Sequence, residues 1–263
     1  MKKALLVVSF GTSHKETRDK TIGETEKFLA KEYNDRELRR AFTSGMIMRV
    51  LKKRDNMHID NVEEAMQKLV DDGFIDVLVQ PTHIINGDEY EKMVNQIAPF
   101  RGLFENIVVG RALLTSSEDY EETCNAILKE VPEVCKDNET ALVLMGHGTG
   151  HFSDAAYAAL DYRFKAMGHS NVFVGTVEGY PEVDMVLKQV KQHSPKKVIL
   201  LPLMLVAGDH AVNDMAGDEE DSWKVIFEEA GYEVTCILRG LGEFEDIRKI
   251  YLKHANIALG EEN

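Results

Sequence analysis

The sequence predicts an α/β fold of two similar domains, each a four-stranded parallel sheet flanked by helices, the two related by internal duplication. Three observations predict it. Short β-branched apolar runs alternate with longer amphipathic ones along the chain, the pattern of βαβ units. Residues 62–89, VEEAMQKLVDDGFIDVLVQPTHIINGDE, align without a gap on residues 183–210, VDMVLKQVKQHSPKKVILLPLMLVAGDH, at a shift of 121 positions. The first apolar run of each half also ends in the same Gly-Thr turn, in LLVVSFGT (5–12) and LVLMGHGT (142–149).

In chain order, strands are expected at Ala4–Ser9, Glu37–Phe42, Asp76–Gln80 and Asn106–Gly110, then at Ala141–Met145, Val172–Val177, Lys197–Leu203 and Glu233–Leu238. Helices fit between them. Val62–Asp72 carries Val62, Ala65, Met66 and Leu69 on one face, and Val183–Gln192 carries Val183, Val186, Leu187 and Val190 in matching places. The polar stretch VPEVCKDNET (131–140) reads as the linker. The expected domains are therefore 1–130 and 141–243, with a C-terminal helix in 244–263 packing back on the N-terminal domain. Within the repeat, Pro81 falls on Pro202 and Gly87-Asp88 on Gly208-Asp209. Function-bearing positions diverge: Glu89 meets His210, and Phe10 meets His147.

Composition narrows the function class. Acidic residues outnumber basic ones by 45 to 31, a formal net charge of −14, which argues against a nucleic-acid partner because phosphate binding needs clustered Lys and Arg. The run DEED (218–221) reads as a solvated face. The N-terminal MKKALLVVSFGTS has too short an apolar run for a signal peptide, and no segment approaches the roughly 18 to 20 apolar residues of a membrane span. A cytoplasmic location without membrane contact is expected. Cys124, Cys135 and Cys236 lack CxxC spacing, so neither a disulfide framework nor a thiolate metal cluster is expected.

Open parallel sheets bind ligands outside the carboxyl ends of their strands. His147, Glu178 and His210 follow three successive strands of the second half, and Glu89 is the first-half counterpart of His210. Two imidazoles and a carboxylate converging there suit a facial site for a divalent first-row metal with positions left open for a substrate. Glu89, expected across the cleft, would accept protons. Glycines on both sides of His147 are read as allowing backbone to approach a ligand. His83 ends a strand; His14, His58, His169, His193 and His254 read as exposed. His147 and His151 stand at i and i+4, but the glycines between them make HGTGH a poor helix, and HExxH is absent. The loops SFGTS (9–13) and GHGTG (146–150) match neither GxxxxGK[ST] nor a full GxGxxG, so a nucleotide site is not expected, although their amides would suit carboxylates.

The stretches KKALLVVSFGTS, RAFTSGMI (40–47), HIINGDEYEKM (83–93), MGHG (145–148), EGYPEVD (178–184) and PLMLVAGDHAVNDMAGDEEDSWK (202–224) together resemble the anaerobic-pathway sirohydrochlorin cobaltochelatases, class II chelatases of the ferrochelatase-like group. The resemblance runs along nearly the whole chain. It implies two similar α/β domains around a tetrapyrrole cleft and ATP-independent insertion of Co²⁺, as substrate metal, into sirohydrochlorin or its relative precorrin-2, without nucleotide or organic cofactor. It further implies His147, Glu178 and His210 as metal ligands and His147, His210 and Glu89 as catalytic groups. Ser9, Gly11, Thr12 and Ser13 are the expected substrate contacts, with Lys15, Arg49, Arg54 and Arg111 as candidate partners of substrate carboxylates. Fe²⁺ or Ni²⁺ as the metal, a non-catalytic two-lobed metal or haem binder, and a homo-oligomeric state stay open.

Overall fold

The computed structural model describes residues 2–136 and 138–261. Packing divides them into two compact units, one reaching Thr115 and including the segment from Glu245 onward, the other spanning Ser116–Phe244.

The first unit contains β1 (Lys3–Ser9), β2 (Glu37–Phe42), β3 (Asp76–Pro81) and β4 (Asn106–Val109), all parallel in the order β2-β1-β3-β4. Its helices are α1 (Lys15–Arg18), α2 (Glu24–Glu32), α3 (Gly45–Asp55), α4 (Val62–Asp71) and α5 (Asp88–Ile97). Why β1 reads as an unbroken apolar run is plain from its neighbours. Alternate residues of a strand face opposite sides of the sheet, and here both sides are covered. Ala4, Leu6 and Val8 pack with Val77 and Val79 against Met66 and Leu69 of α4 and Met93 and Ile97 of α5. Leu5, Val7 and Leu78 pack against Leu29 of α2 and Ala255. Ala255 belongs to the C-terminal helix Glu245–Leu259, which closes this second face.

The second unit repeats the plan with β5 (Thr140–Gly146), β6 (Val172–Thr176), β7 (Lys197–Pro202) and β8 (Glu233–Cys236), parallel in the order β6-β5-β7-β8. Its helices are α6 (Ser117–Glu130), α7 (Ala155–Ala166), α8 (Val183–His193) and α9 (Trp223–Glu229); the C-terminal helix Glu245–Leu259 is α10. Ala141, Val143, Met145, Val198 and Leu200 bury against Val186 and Val190 of α8 and Trp223 and Phe227 of α9. The duplication extends to single hydrogen bonds. Past the proline that ends β3, Thr82 N donates to Val8 O at 2.9 Å; past the equivalent proline of β7, Leu203 N donates to Met145 O at 2.8 Å.

The unit boundary differs from the expected one. A linker at 131–140 would leave α6 in the first half, but α6 packs with α7 in the second unit. It starts at a capping box in which Ser116 Oγ accepts from Asp119 N and Asp119 Oδ2 accepts from Ser116 N. The stretch after it is anchored too: Val131 and Val134 are buried, and Asn171 Nδ2 donates to Val134 O and Thr140 O. Its polarity, its proline and its lack of clear periodicity make this stretch look like a connection, and its buried apolar anchors, Val131 and Val134, are too few to show a pattern. Position 137 of that stretch lies outside the described residues.

Candidate metal centre

His147 stands directly beyond β5, in a loop whose path is set by its glycines. Gly148 has φ +80°, and a Cβ there would lie 2.3 Å from Gly179 N in the loop after β6. A Cβ on Gly146 would lie 2.4 Å from the Tyr157 ring. Both glycines are thus required by the protein's own packing, and their expected role of admitting a ligand is not needed to explain them. Tyr157, wedged there from α7, has its hydroxyl pushed up to about 12 by burial, with backbone hydrogen bonding at Gly148 and His147 acting in the opposite direction.

The loops after β5 and β6 are locked together. Val177 N donates to Gly146 O at 3.0 Å and Glu178 N to His147 O at 2.8 Å, continuing the ladder past the end of the strands. Asp154 clamps them again: Oδ1 accepts from Thr149 N at 2.9 Å and Oδ2 from Tyr180 N at 2.7 Å. His210 arrives from the loop after β7 and caps the π-helical turn Ala211–Met215.

These elements bring His147, Glu178 and His210 together. One potential ligand atom from each lies within 4.8 Å of the others. The imidazoles meet edge to face with centroids 4.7 Å apart and ring planes at 87°. Glu178 Oε2 is 3.8 Å from His147 Nδ1. Hydrogen bonding assigns the tautomers. Nδ1 of His147 is 2.9 Å from Gly148 O, and Nδ1 of His210 is 2.7 Å from Asp214 Oδ2. Carbonyl and carboxylate oxygens only accept, so Nδ1 carries the hydrogen in both rings and the lone pair of each neutral imidazole lies on Nε2. All three side chains are partly exposed, as ligands to an ion arriving from solution must be.

Glu89 lies in the first unit, in the first turn of α5, eight residues past Pro81 as His210 is past Pro202. Its Oε2 is 3.5 Å from Lys92 Nζ, which donates to Thr43 O at 2.9 Å. In the loop after β1, Ser9, Thr12 and Ser13 are nearly fully buried. Ser9 Oγ accepts from Thr82 Oγ1 and Thr12 Oγ1 from His14 N, while Gly11 at φ +104° would drive a Cβ to 2.6 Å from the Phe42 ring. Of the basic candidates, Arg54 binds Ser13 O and Asp55, and Arg49 Nε donates to Gly45 O; Lys15 and Arg111 are exposed.

Among the histidines read as exposed, only His58 is. His254 is buried at 1% exposure with Nδ1 3.3 Å from Arg111 O, because α10 turns that face onto the sheet; His14, His169 and His193 are half-buried. His83 is buried, and burial lowers its pKa to about 4. His151 does not extend a helix from His147; its Nδ1 accepts from Ser153 N at the start of a 3₁₀ turn. A second grouping, His58, Asp60 and Glu64, is already engaged: Lys68 Nζ is 2.7 Å from Asp60 Oδ1, and Glu64 Oε2 accepts from Asn61 N. The sequence reading missed Asp214, Asp154 and Tyr157. The i,i+4 spacing of His210 and Asp214 in DHAVND is the one local signal that was available.

The chain has relatives along nearly its whole length. Sirohydrochlorin cobaltochelatase of Salmonella typhimurium is 48% identical over 259 residues, covering 98% of this chain and 97% of that protein. Sirohydrochlorin cobaltochelatase CbiKC of Nitratidesulfovibrio vulgaris is 34% identical over 260 residues, covering 98% and 91%. The structure of SirB from Bacillus subtilis with Fe³⁺ shares the fold, with a TM-score of 0.69 at 16% identity over 98% of this chain and 96% of that one. The family described as cobalt chelatase (CbiK) matches residues 3–259, nearly the whole length, and the chain belongs to that family.

Proposed function

We propose that this chain inserts Co²⁺ into sirohydrochlorin without ATP, an early step of anaerobic cobalamin synthesis carried out in the cytoplasm. The observation that carries the reading is the convergence of His147, Glu178 and His210, with potential ligand atoms within 4.8 Å, in a chain of the cobalt chelatase family. Two imidazole nitrogens and a carboxylate oxygen on one side of a divalent ion leave its other positions for water and then for the ring nitrogens.

Metallation has two requirements: the hydrated ion must shed water, and the macrocycle must lose its pyrrole N–H protons. Neutral imidazole serves both, as ligand or as proton acceptor near neutral pH. In this reading His147, Glu178 and His210 hold the incoming ion, His147 takes a pyrrole proton on Nε2 once the ion has passed from that nitrogen to the ring, and Glu89 takes or relays another. The substrate is a polycarboxylate and the protein is acidic, so amides of the loop 9–13 and nearby basic side chains would receive its carboxylates.

Purified protein is incubated with sirohydrochlorin and Co²⁺, Fe²⁺ or Ni²⁺ without nucleotide, and the absorption spectrum is followed. Acceleration with Co²⁺ over the protein-free rate is expected. No acceleration with any of these ions would remove the chelatase reading, and a preference for Fe²⁺ or Ni²⁺ would reassign the metal.

A further inference from the structure

The geometry points to Asp214 as the residue that fixes the metal-facing nitrogen of His210, a positioning role that rests on the chelatase reading of the same site. Asp214 follows His210 by four residues across the π-helical turn Ala211–Met215, and its Oδ2 lies 2.7 Å from Nδ1 of His210. Residues four apart share a helical face, so the turn itself delivers the carboxylate to the ring.

The two histidines of the centre are held differently. His147 donates to the carbonyl of Gly148, a main-chain group in a loop braced by Asp154 and the Glu178 amide. His210 depends on a side chain. A neutral imidazole without a partner exchanges its hydrogen between the two nitrogens and swings about its side-chain torsion; one whose Nδ1–H is captured by a carboxylate keeps Nε2 as the donor and is a stronger ligand. His210 is also the residue that replaces Glu89 of the first half, and the equivalent of Asp214 there is Met93, a buried core residue. The carboxylate thus occurs only in the copy that carries the imidazole.

The test uses the full-length protein and its Asp214→Ala and Asp214→Asn variants. Asp218→Asn is the control, removing the same charge from a side chain 93% exposed four residues on. Two quantities are read: Co²⁺ affinity without tetrapyrrole, and the ¹⁵N shifts of His210 in the metal-free protein. Asp214→Ala should weaken Co²⁺ binding by about 10- to 100-fold and turn His210 from the Nδ1–H form into a mixture. Asp214→Asn, whose carbonyl still accepts, should keep the tautomer and lose less, and Asp218→Asn should stay within about twofold. Wild-type affinity and tautomer in Asp214→Ala, or an equal loss in Asp218→Asn, would overturn the assignment. Should Asp214→Ala fail to fold, the comparison of Asp214→Asn with Asp218→Asn decides, since only the former should weaken Co²⁺ binding. A wild-type protein that binds Co²⁺ through His210 but does not metallate sirohydrochlorin would defeat the chelatase reading and leave this assignment standing.

Discussion

Replacing Gly148 by alanine tests whether the metal group depends on the seating of two loops. At φ +80° a side chain is strained, at a cost of about 1–2 kcal/mol. The new Cβ would also stand 2.3 Å from Gly179 N, 2.8 Å from Gly179 Cα and 2.8 Å from Thr176 Cβ. Two of those atoms are backbone, so no rotamer change relieves the clash, and overpacking of this kind costs about 1–3 kcal/mol more. The chain can bear the resulting 2–5 kcal/mol, by rough addition of those ranges, or let the two loops part. Parting by about 1 Å would break the Glu178 N to His147 O bond and move the carboxylate from the imidazole, a misplacement worth roughly 100-fold in rate. Gly150 supplies the internal control, because a Cβ there meets nothing within 4 Å. Metallation rate, Co²⁺ affinity and chemical unfolding are measured for wild type, Gly148→Ala and Gly150→Ala. Gly148→Ala should lose stability, rate or both by these amounts while Gly150→Ala resembles wild type. Wild-type behaviour in Gly148→Ala, or equal damage in Gly150→Ala, would refute the reasoning.

His147→Ala and His210→Ala should each remove most metallation activity with circular dichroism unchanged; a wild-type rate in either removes that residue from the mechanism. Asp154→Ala leaves the amides of Thr149 and Tyr180 without their acceptor and should cost about 1–3 kcal/mol in denaturant unfolding along with Co²⁺ affinity, whereas an unchanged affinity would show that the clamp does not set the site. His83, whose pKa burial lowers from 6.5 to about 4, binds a proton more readily unfolded than folded. Its stabilising contribution is therefore complete above pH 6.5 and is lost as pH falls toward 4, by about 3 kcal/mol. His83→Gln should flatten the unfolding free energy in that window, and an unaltered pH slope would show that His83 is not the group responsible.

Much of the architecture is written in local pattern. All eight expected strands are present within a residue or two of their predicted ends, and the central ones, covered on both faces, are the plainest in the sequence, as the apolar runs Leu5 through Val8 and Val198 through Leu201 show. The repeat at 121 positions also carried real structure: Pro81 and Pro202 end equivalent strands and are followed by equivalent hydrogen bonds. His147, Glu178 and His210 were legible as candidates for the same reason, since the strand pattern puts each at a carboxyl end. Other features lie beyond any local pattern. The affiliation of α6 depends on which sheet its apolar face meets, and the burial of His254 on where α10 docks. Glycine is equally expected before a ligand and before a Tyr157 ring, and only contacts between residues distant in the chain tell these apart. The same holds for the metal group. Spacing along the chain put three ligating side chains at one end of a sheet; the approach of one potential ligand atom from each to within 4.8 Å of the others goes with the ladder past β5 and β6 and the Asp154 clamp, which join segments that no periodicity relates.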